Sequence, residues 1–98
     1  MILVRDVLKI APETMKQAKE LASQQRELGK RQGFPDMVLM TDFVADFYTL
    51  VLESRYDGLA HFEETMRKVM KSKEWQKSYP KLRKCILGGK REIYSIVD

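Results

Sequence analysis

The segment Tyr-Thr-Leu-Val-Leu-Glu-Ser-Arg-Tyr, residues 48–56, has the pattern of a buried β-strand. Its centre is the apolar run Leu50, Val51 and Leu52. Successive side chains of a strand point to opposite faces of the sheet, so this strand presents apolar groups to both faces. The sheet that contains it therefore needs a cover on two sides.

The residues before this strand predict three further elements. Alternating Ile, Val and Leu predict a first strand over Ile2–Ile10. Pro12 opens a helix, in which apolar residues recur at three- and four-residue intervals from Met15 to Leu28. After a Gly-rich break, a second strand is predicted over residues 37–46, with a tight turn into the third strand.

The residues after this strand predict a helical region and a last strand. Asp57 is a candidate N-cap for a helix over residues 59–71, and Ser72 is a candidate cap for a helical restart. The pair Gly88-Gly89 is predicted to break the chain before a fourth strand over residues 91–97. The order strand, helix, strand, strand, helix, strand predicts an α+β, ferredoxin-like βαββαβ fold with a four-stranded antiparallel sheet.

Length and composition predict one soluble domain over residues 1–98, with 44% hydrophobic and 33% charged residues. The single cysteine, Cys85, excludes an intramolecular disulfide and favours a reducing, cytoplasmic setting. No apolar run is long enough for a signal peptide or a membrane span. The net charge of +4 is concentrated in residues 67–91, which indicates either a solvated face or a site for an acidic partner.

The sheet face turned away from the helices predicts a partner. In the ferredoxin-like arrangement both helices cover one face, and Leu3, Val7, Val51, Tyr94 and Ile96, or their neighbours of the other parity, remain for the opposite face. Leaving these side chains exposed to water forgoes a stabilising free energy of about 25 cal/mol per Å² of apolar area. We therefore expect a homodimer in which two sheets pack face to face about a two-fold axis.

Short segments along nearly the whole chain carry a family resemblance. They are Arg5, Lys9, Pro12 and Met15; Tyr56-Asp57-Gly58-Leu59-Ala60; Met70, Glu74-Trp75 and Tyr79; and Gly89-Lys90-Arg91-Glu92-Ile93-Tyr94. In these segments the chain resembles the dimeric α/β-barrel superfamily, and within it most closely the small NIPSNAP-type proteins. The resemblance implies a dimeric α/β barrel with a ligand cavity between sheet and helices.

The resemblance also bears on activity. Some members of the superfamily, the antibiotic-biosynthesis monooxygenases and the haem-degrading enzymes, oxidise aromatic or porphyrin substrates, the former without a metal or organic cofactor. The sequence has no match for the Asn, Trp and His set of the oxygenases. Whether the chain is an enzyme stays open on this ground, and no cofactor or metal is expected.

Five residues are candidates for the wall of a ligand pocket. His61 is the only histidine in the chain. It is either a general acid or base that lines the pocket or a boundary residue without a role. Trp75 and Tyr79 lie one helical turn apart and form either part of the core or a stacking wall for an aromatic ligand. Tyr48 and Tyr56 share a parity and either add hydroxyl donors to that pocket or pack beneath the helices.

Arg5, Glu53 and Arg55 form a predicted charged cluster on the sheet, which Asp42 is a candidate to join. Charges on an otherwise apolar sheet face must be paired or hydrated. The cluster is therefore either a set of ion pairs that fixes the register of the dimer or an anchor for a carboxylate ligand.

Three function classes follow. The first is a NIPSNAP-like homodimer that binds a small hydrophobic or aromatic molecule, with a cofactor-independent monooxygenase as its catalytic alternative. The second is a non-catalytic structural or interaction dimer. The third, an RNA-binding module, is disfavoured because Leu50, Val51 and Leu52 stand where base-stacking aromatic residues belong, so no nucleic-acid partner is expected.

Overall fold

A computed structural model describes all 98 residues. The elements are β1 (Ile2–Ile10), a 3-10 turn (Pro12–Thr14), α1 (Met15–Arg31), β2 (Met37–Thr41), β3 (Thr49–Tyr56), α2 (Leu59–Lys71), α3 (Lys73–Cys85) and β4 (Ile86–Ser95). This is the predicted ferredoxin-like order, with two consecutive helices, α2 and α3, between the third and fourth strands.

The four strands form one antiparallel sheet in the order β2-β3-β1-β4. The segment from which the fold was predicted, β3, is thus an inner strand beside β1. Their register places Val7 opposite Val51 and Arg5 opposite Glu53. Even-numbered residues of β1 and β3 point to the helices, and odd-numbered residues point to the face without helices.

The core on the helix side consists of two separate clusters. The larger one joins β1 and β3 to α1 and α3, and its members are Ile10, Ala18, Leu21, Ala22, Leu50, Leu82 and Cys85. The smaller one joins the other end of the same strands to α2, and its members are Val4, Tyr56 and Phe62. Asp6 lies between Val4 and Ile10 on the same face of β1, so a charged residue stands where the two clusters would meet.

The helix ends follow the sequence in part. The Ser72 hydroxyl caps α3 by accepting a hydrogen bond from the Trp75 N–H at 3.4 Å, as predicted. The predicted cap of α2 is wrong, because Gly58 occupies that position and no side chain caps the helix. Pro80 lies inside α3, which continues through it to Cys85.

The predicted extent of β2 is wrong. The strand ends at Thr41, and residues 42–48 form a loop instead of a tight turn. Asp42 Oδ1 accepts a hydrogen bond from the Thr49 N–H at 2.9 Å, and the Thr49 hydroxyl donates to the Asp46 carbonyl at 2.7 Å. Tyr48, which was predicted to begin the third strand, lies in the left-handed region with φ of 60°. The loop needs this local bonding because its own apolar side chains, among them Phe43, are exposed.

The predicted break at Gly88-Gly89 is also wrong, because both glycines lie within β4. Lys9 pairs with Gly88 but Ile10 pairs with Ile86, so Leu87 is an extra residue and the register shifts there. A Cβ at Gly89 would lie 2.6 Å from the Val7 carbonyl oxygen. Glycine therefore allows a close backbone approach beside the irregularity and does not end the strand.

The sheet surface without helices is called here the helix-free face. Its central row is charged and consists of Val38, Glu53, Arg5 and Glu92. The rows on either side are mainly apolar and each contains one basic residue: Met40, Val51, Val7 and Lys90 form one, and Arg55, Leu3 and Tyr94 form the other. In the protomer Val38 is 52% exposed and Tyr94 is 47% exposed. The leftover apolar residues of the sequence, apart from Ile96 beyond the strand, thus share this face.

Candidate functional site

A cavity of about 920 Å³ lies between the helix side of the sheet and the three helices. It occupies the gap between the two core clusters, because its lining includes Leu8 and Leu82 near one and Tyr56, Phe62 and Met66 at the other. The volume falls within the roughly 300–1,000 Å³ that is typical of small-molecule pockets. The mixture of apolar walls and a few polar groups is also typical of such sites.

An ion pair forms the floor of the cavity. Asp6 on β1 and Arg91 on β4 are paired across the sheet, and the Arg91 guanidinium donates two hydrogen bonds to the Asp6 carboxylate. The distances are 2.6 Å from Nε to Oδ1 and 3.0 Å from Nη2 to Oδ2. The hydrogen bond to Asp6 raises the pKa of Arg91 above its usual range, so this group stays charged. The guanidinium also lies over the Phe62 ring, 5.2 Å from its centroid.

Tyr56 stands beside this pair at the end of β3. Its ring packs edge to face against Phe62 at 5.1 Å between centroids and against His61 at 5.4 Å. Burial raises the pKa of Tyr56, although Ser54 and Arg91 act in the opposite direction. The hydroxyl is therefore a neutral hydrogen-bond donor and acceptor at the edge of the cavity throughout the physiological pH range.

The aromatic wall comes from α3. The rings of Trp75 and Tyr79 are stacked, with centroids 4.6 Å apart and an interplanar angle of 15°. Both line the cavity and both are half-buried. Their one-turn spacing places them on one side of the helix, and the Ser72 cap holds the first turn that carries Trp75.

The wall formed by α1 contains donors without acceptors. Gln25 Nε2 and Arg26 Nε are buried and have no hydrogen-bond partner in the structure. Both residues line the cavity. The carboxylate nearest to Arg26 Nε belongs to Glu27 at 3.9 Å, which is too far for a hydrogen bond.

The structure separates the five predicted pocket residues. Trp75, Tyr79 and Tyr56 line the cavity, whereas His61 and Tyr48 do not. His61 Nδ1 accepts a hydrogen bond from the Asp57 N–H at 3.0 Å and so acts within the first turn of α2. Tyr48 lies at the opposite end of β3 from Tyr56, and its carbonyl accepts a hydrogen bond from the Ile10 N–H at 2.8 Å.

The predicted charged cluster lies on the helix-free face, outside the cavity. Arg5 Nε donates to Glu53 Oε2 at 2.9 Å, and the Arg5 guanidinium lies 5.8 Å from the centroid of the Tyr94 ring. Arg55 makes no ion pair with either residue, and Asp42 belongs to the loop after β2. The structure thus brings together two of the three predicted members.

Sequence reasoning missed the pair of Asp6 and Arg91. The available signal was parity, since Asp6 has the same parity as Val4 and Leu8 on the buried side of β1. No group of three or more His, Cys, Asp or Glu side chains is placed to hold a metal ion. None of the helices has the length and apolarity needed to cross a membrane.

The raised pKa of Tyr56 predicts a distinct alkaline titration. Tyr94 also has a raised pKa, because its hydroxyl donates to Glu92, so two of the four tyrosines are expected to ionise late. A titration followed by the ultraviolet absorbance of tyrosinate should show two steps at high pH. One should be absent in Tyr56→Phe and the other in Tyr94→Phe.

The same shift predicts how stability depends on pH. A raised pKa means that the contribution of Tyr56 is fully present below the ordinary tyrosine pKa and is lost as pH rises through the raised value. Urea titrations should show a smaller alkaline loss of stability in Tyr56→Phe. Simultaneous ionisation of all four tyrosines would contradict this account.

No protein-family model and no curated protein sequence matches the chain. Among solved structures, a NIPSNAP family protein from Agrobacterium tumefaciens has a TM-score of 0.88 at 15% identity, covering 99% of this chain and 93% of that one. A NIPSNAP domain protein from Burkholderia xenovorans has a TM-score of 0.84 at 13% identity, with 99% and 95% covered. An antibiotic biosynthesis monooxygenase has a TM-score of 0.79 at 15% identity, with both chains fully covered. At the level of the fold these similarities confirm the predicted resemblance: the chain has the ferredoxin-like architecture of NIPSNAP family proteins and antibiotic biosynthesis monooxygenases.

Proposed function

We propose that this chain is a homodimeric small-molecule-binding protein, and that each protomer holds an apolar or aromatic molecule between the sheet and the helices. The observation that carries the proposal is the cavity of about 920 Å³ between the two core clusters. The cavity is open to solvent on one side, so its apolar walls stay in contact with water, at a cost in stability, unless a ligand covers them. A bound ligand would offset this cost.

The chemistry of the walls supports an aromatic or similarly flat ligand. Trp75 and Tyr79 present stacked rings, and Phe62 and Met66 supply apolar contacts from α2. Aromatic rings interact favourably with a further ring in offset or edge-to-face geometry. The polar floor formed by Asp6 and Arg91 gives such a ligand one defined orientation.

The helix-free face supports a homodimer. A second copy, related by a two-fold axis, brings the apolar rows that contain Val7, Val51 and Leu3 against equivalent apolar rows. Arg5 is already paired with Glu53 within each sheet, so packing two copies together buries this charge as a pair, whereas Arg55 needs a partner from the second copy or contact with solvent. The exposed apolar loop with Phe43 and Phe47 extends from the same end of the sheet as Met40 and Val51.

Binding is better supported than turnover. A cofactor-independent monooxygenase needs a group that can accept a proton from the bound substrate. His61 does not line the cavity, and the Asp6 carboxylate is held by two hydrogen bonds from Arg91. The other carboxylate of the lining, that of Glu63, is exposed to solvent, so the cavity offers positioning groups without a buried free base.

The chain offers its own reporter of binding, because Trp75 is the only tryptophan. Its indole N–H gives a single resonance in a ¹H–¹⁵N spectrum. Titration with the neutral probe 2-naphthalenemethanol is expected to shift this resonance in a saturable way. Absence of any saturable shift, with this alcohol and with the carboxylate 2-naphthoate alike, would overturn the binding proposal and leave the structural or interaction dimer.

A matched pair of variants locates the probe. Trp75→Leu is expected to weaken 2-naphthalenemethanol by about two- to tenfold in calorimetry, because about 0.5–1.5 kcal/mol of aromatic interaction is lost. Phe47→Leu makes a comparable change on the exposed loop, where Phe47 is 77% exposed, and should leave the affinity unchanged. Equal losses in both variants would place the probe outside the cavity.

A further inference from the structure

The ion pair on the cavity floor is not explained by stability. Asp6 and Arg91 are on the helix side of the sheet, where an apolar pair would join the two core clusters. An ion pair with a partner that is half exposed to solvent contributes only about 0–1 kcal/mol to stability. Both side chains keep contact with the cavity space, since Asp6 is 26% exposed and Arg91 is 47% exposed.

Arg91 retains donors that the protein does not use. A guanidinium has five N–H groups, and Asp6 accepts from two of them. The remaining three have no acceptor in the structure. Phe62 lies against the guanidinium and limits how far it can turn, so the free N–H groups are held near the cavity floor.

Basic side chains also outnumber acidic ones around the cavity. Four basic side chains line it, namely Arg26, Arg67, Arg83 and Arg91, against two acidic ones, Asp6 and Glu63. The buried Nε2 of Gln25 and Nε of Arg26 on the α1 wall are donors without an acceptor. A site with more donors than acceptors and a net positive lining favours an anion.

We propose that the molecule bound in the cavity is an amphipathic carboxylate, with its apolar body against Trp75 and Tyr79 and its carboxylate on the free N–H groups of Arg91. Asp6 acts as a positioning residue, because it orients the guanidinium while competing with the ligand for it. This inference rests on the proposed binding function and adds the chemical class of the ligand. A planar carboxylate suits the fork geometry of a guanidinium.

The roles assigned to the two partners predict opposite effects. Asp6→Asn keeps the shape of the side chain but removes the competing charge, so anion binding should become about three- to tenfold tighter. Arg91→Gln removes the charge and the donors that the carboxylate uses, so anion binding should become about tenfold weaker or worse. A pair that served the fold alone would weaken binding in both variants.

The experiment compares 2-naphthoate with the neutral 2-naphthalenemethanol by calorimetry. The unchanged protein should bind the carboxylate about tenfold more tightly than the alcohol. The affinity for the alcohol should stay within about twofold in Asp6→Asn and Arg91→Gln, which also shows that both variants fold. Arg91→Lys, which keeps the charge, should restore most of the preference and serves where Arg91→Gln does not fold.

A charge-matched control uses Glu64→Gln. Glu64 pairs with Lys68 on the outer side of α2 and does not line the cavity, and this change alters net charge as Asp6→Asn does. It should leave both affinities unchanged. Binding of both probes with equal affinity, or parallel losses in the two floor variants, would overturn the carboxylate inference while the proposed binding function stands. Binding of neither probe would instead overturn the proposed function.

Discussion

Replacing Val51 with lysine is expected to convert the proposed homodimer into a monomer of 11.5 kDa. Val51 lies at the centre of the helix-free face, with Val7 on one side and Met40 on the other. In the proposed dimer, a two-fold axis through this face would place two ammonium groups close together among Val7, Met40 and their counterparts. The cost of several kcal/mol corresponds to a loss of affinity between protomers of about 100-fold or more.

Light scattering behind gel filtration at micromolar concentration measures this effect. The unchanged chain should elute at twice the protomer mass and Val51→Lys at the protomer mass, with unchanged circular dichroism. Val97→Lys makes the same chemical change beyond the last strand, where Val97 is 92% exposed, and should remain dimeric. A protomer mass for the unchanged chain would overturn the proposed homodimer. The helix-free face would then be exposed to solvent.

Gly89→Ala is expected to lower the free energy of unfolding by about 1–3 kcal/mol, although it adds a single methyl group. The new Cβ would lie 2.6 Å from the Val7 carbonyl oxygen and 3.2 Å from the Leu8 Cα. These are backbone atoms of the neighbouring strand, so the contact is relieved only if β1 and β4 move apart. That movement disturbs the strands that carry Asp6 and Arg91.

The neighbouring glycine supplies the control. A Cβ at Gly88 meets no atom within 4 Å, and its φ lies outside the left-handed region. Gly88→Ala should therefore be neutral or stabilising, by up to about 1 kcal/mol, since it restricts the unfolded chain. Urea unfolding of both variants at one protein concentration gives the comparison. Equal stabilities would show that the approach of β4 to β1 is not the reason for glycine at residue 89.

The fold was predictable because local patterns agreed with one another. The apolar run Leu50 to Leu52 indicated a strand with two covered faces, and the 3.6-residue period indicated the helices. The predictions were wrong where a residue type occurs in a structural setting that is unusual for it. Phe43 and Val44 were included in the predicted second strand, yet they lie on an exposed loop, and periodicity alone does not distinguish these cases.

The candidate site was less predictable, because it depends on register. The parity of Asp6 was visible in the sequence, but its partner was not, since the irregularity around Leu87 shifts the pairing of β4 against β1. Trp75 and Tyr79 were found from their helical spacing, and the structure places both on the cavity wall. His61 was chosen for its chemistry alone, and its hydrogen bond with the Asp57 N–H depends on local geometry that composition does not reveal.

If the proposed ligand occupies the cavity, the division of the core into two clusters links the supply of that ligand to the lifetime of the folded protein. The cluster around Phe62 is small, and the cavity separates it from the cluster around Leu50. A molecule seated between them bridges both, and mass action then raises the melting temperature with its concentration. At 100 times the dissociation constant the gain is about 2.7 kcal/mol, enough for cellular abundance to follow the amount of metabolite present.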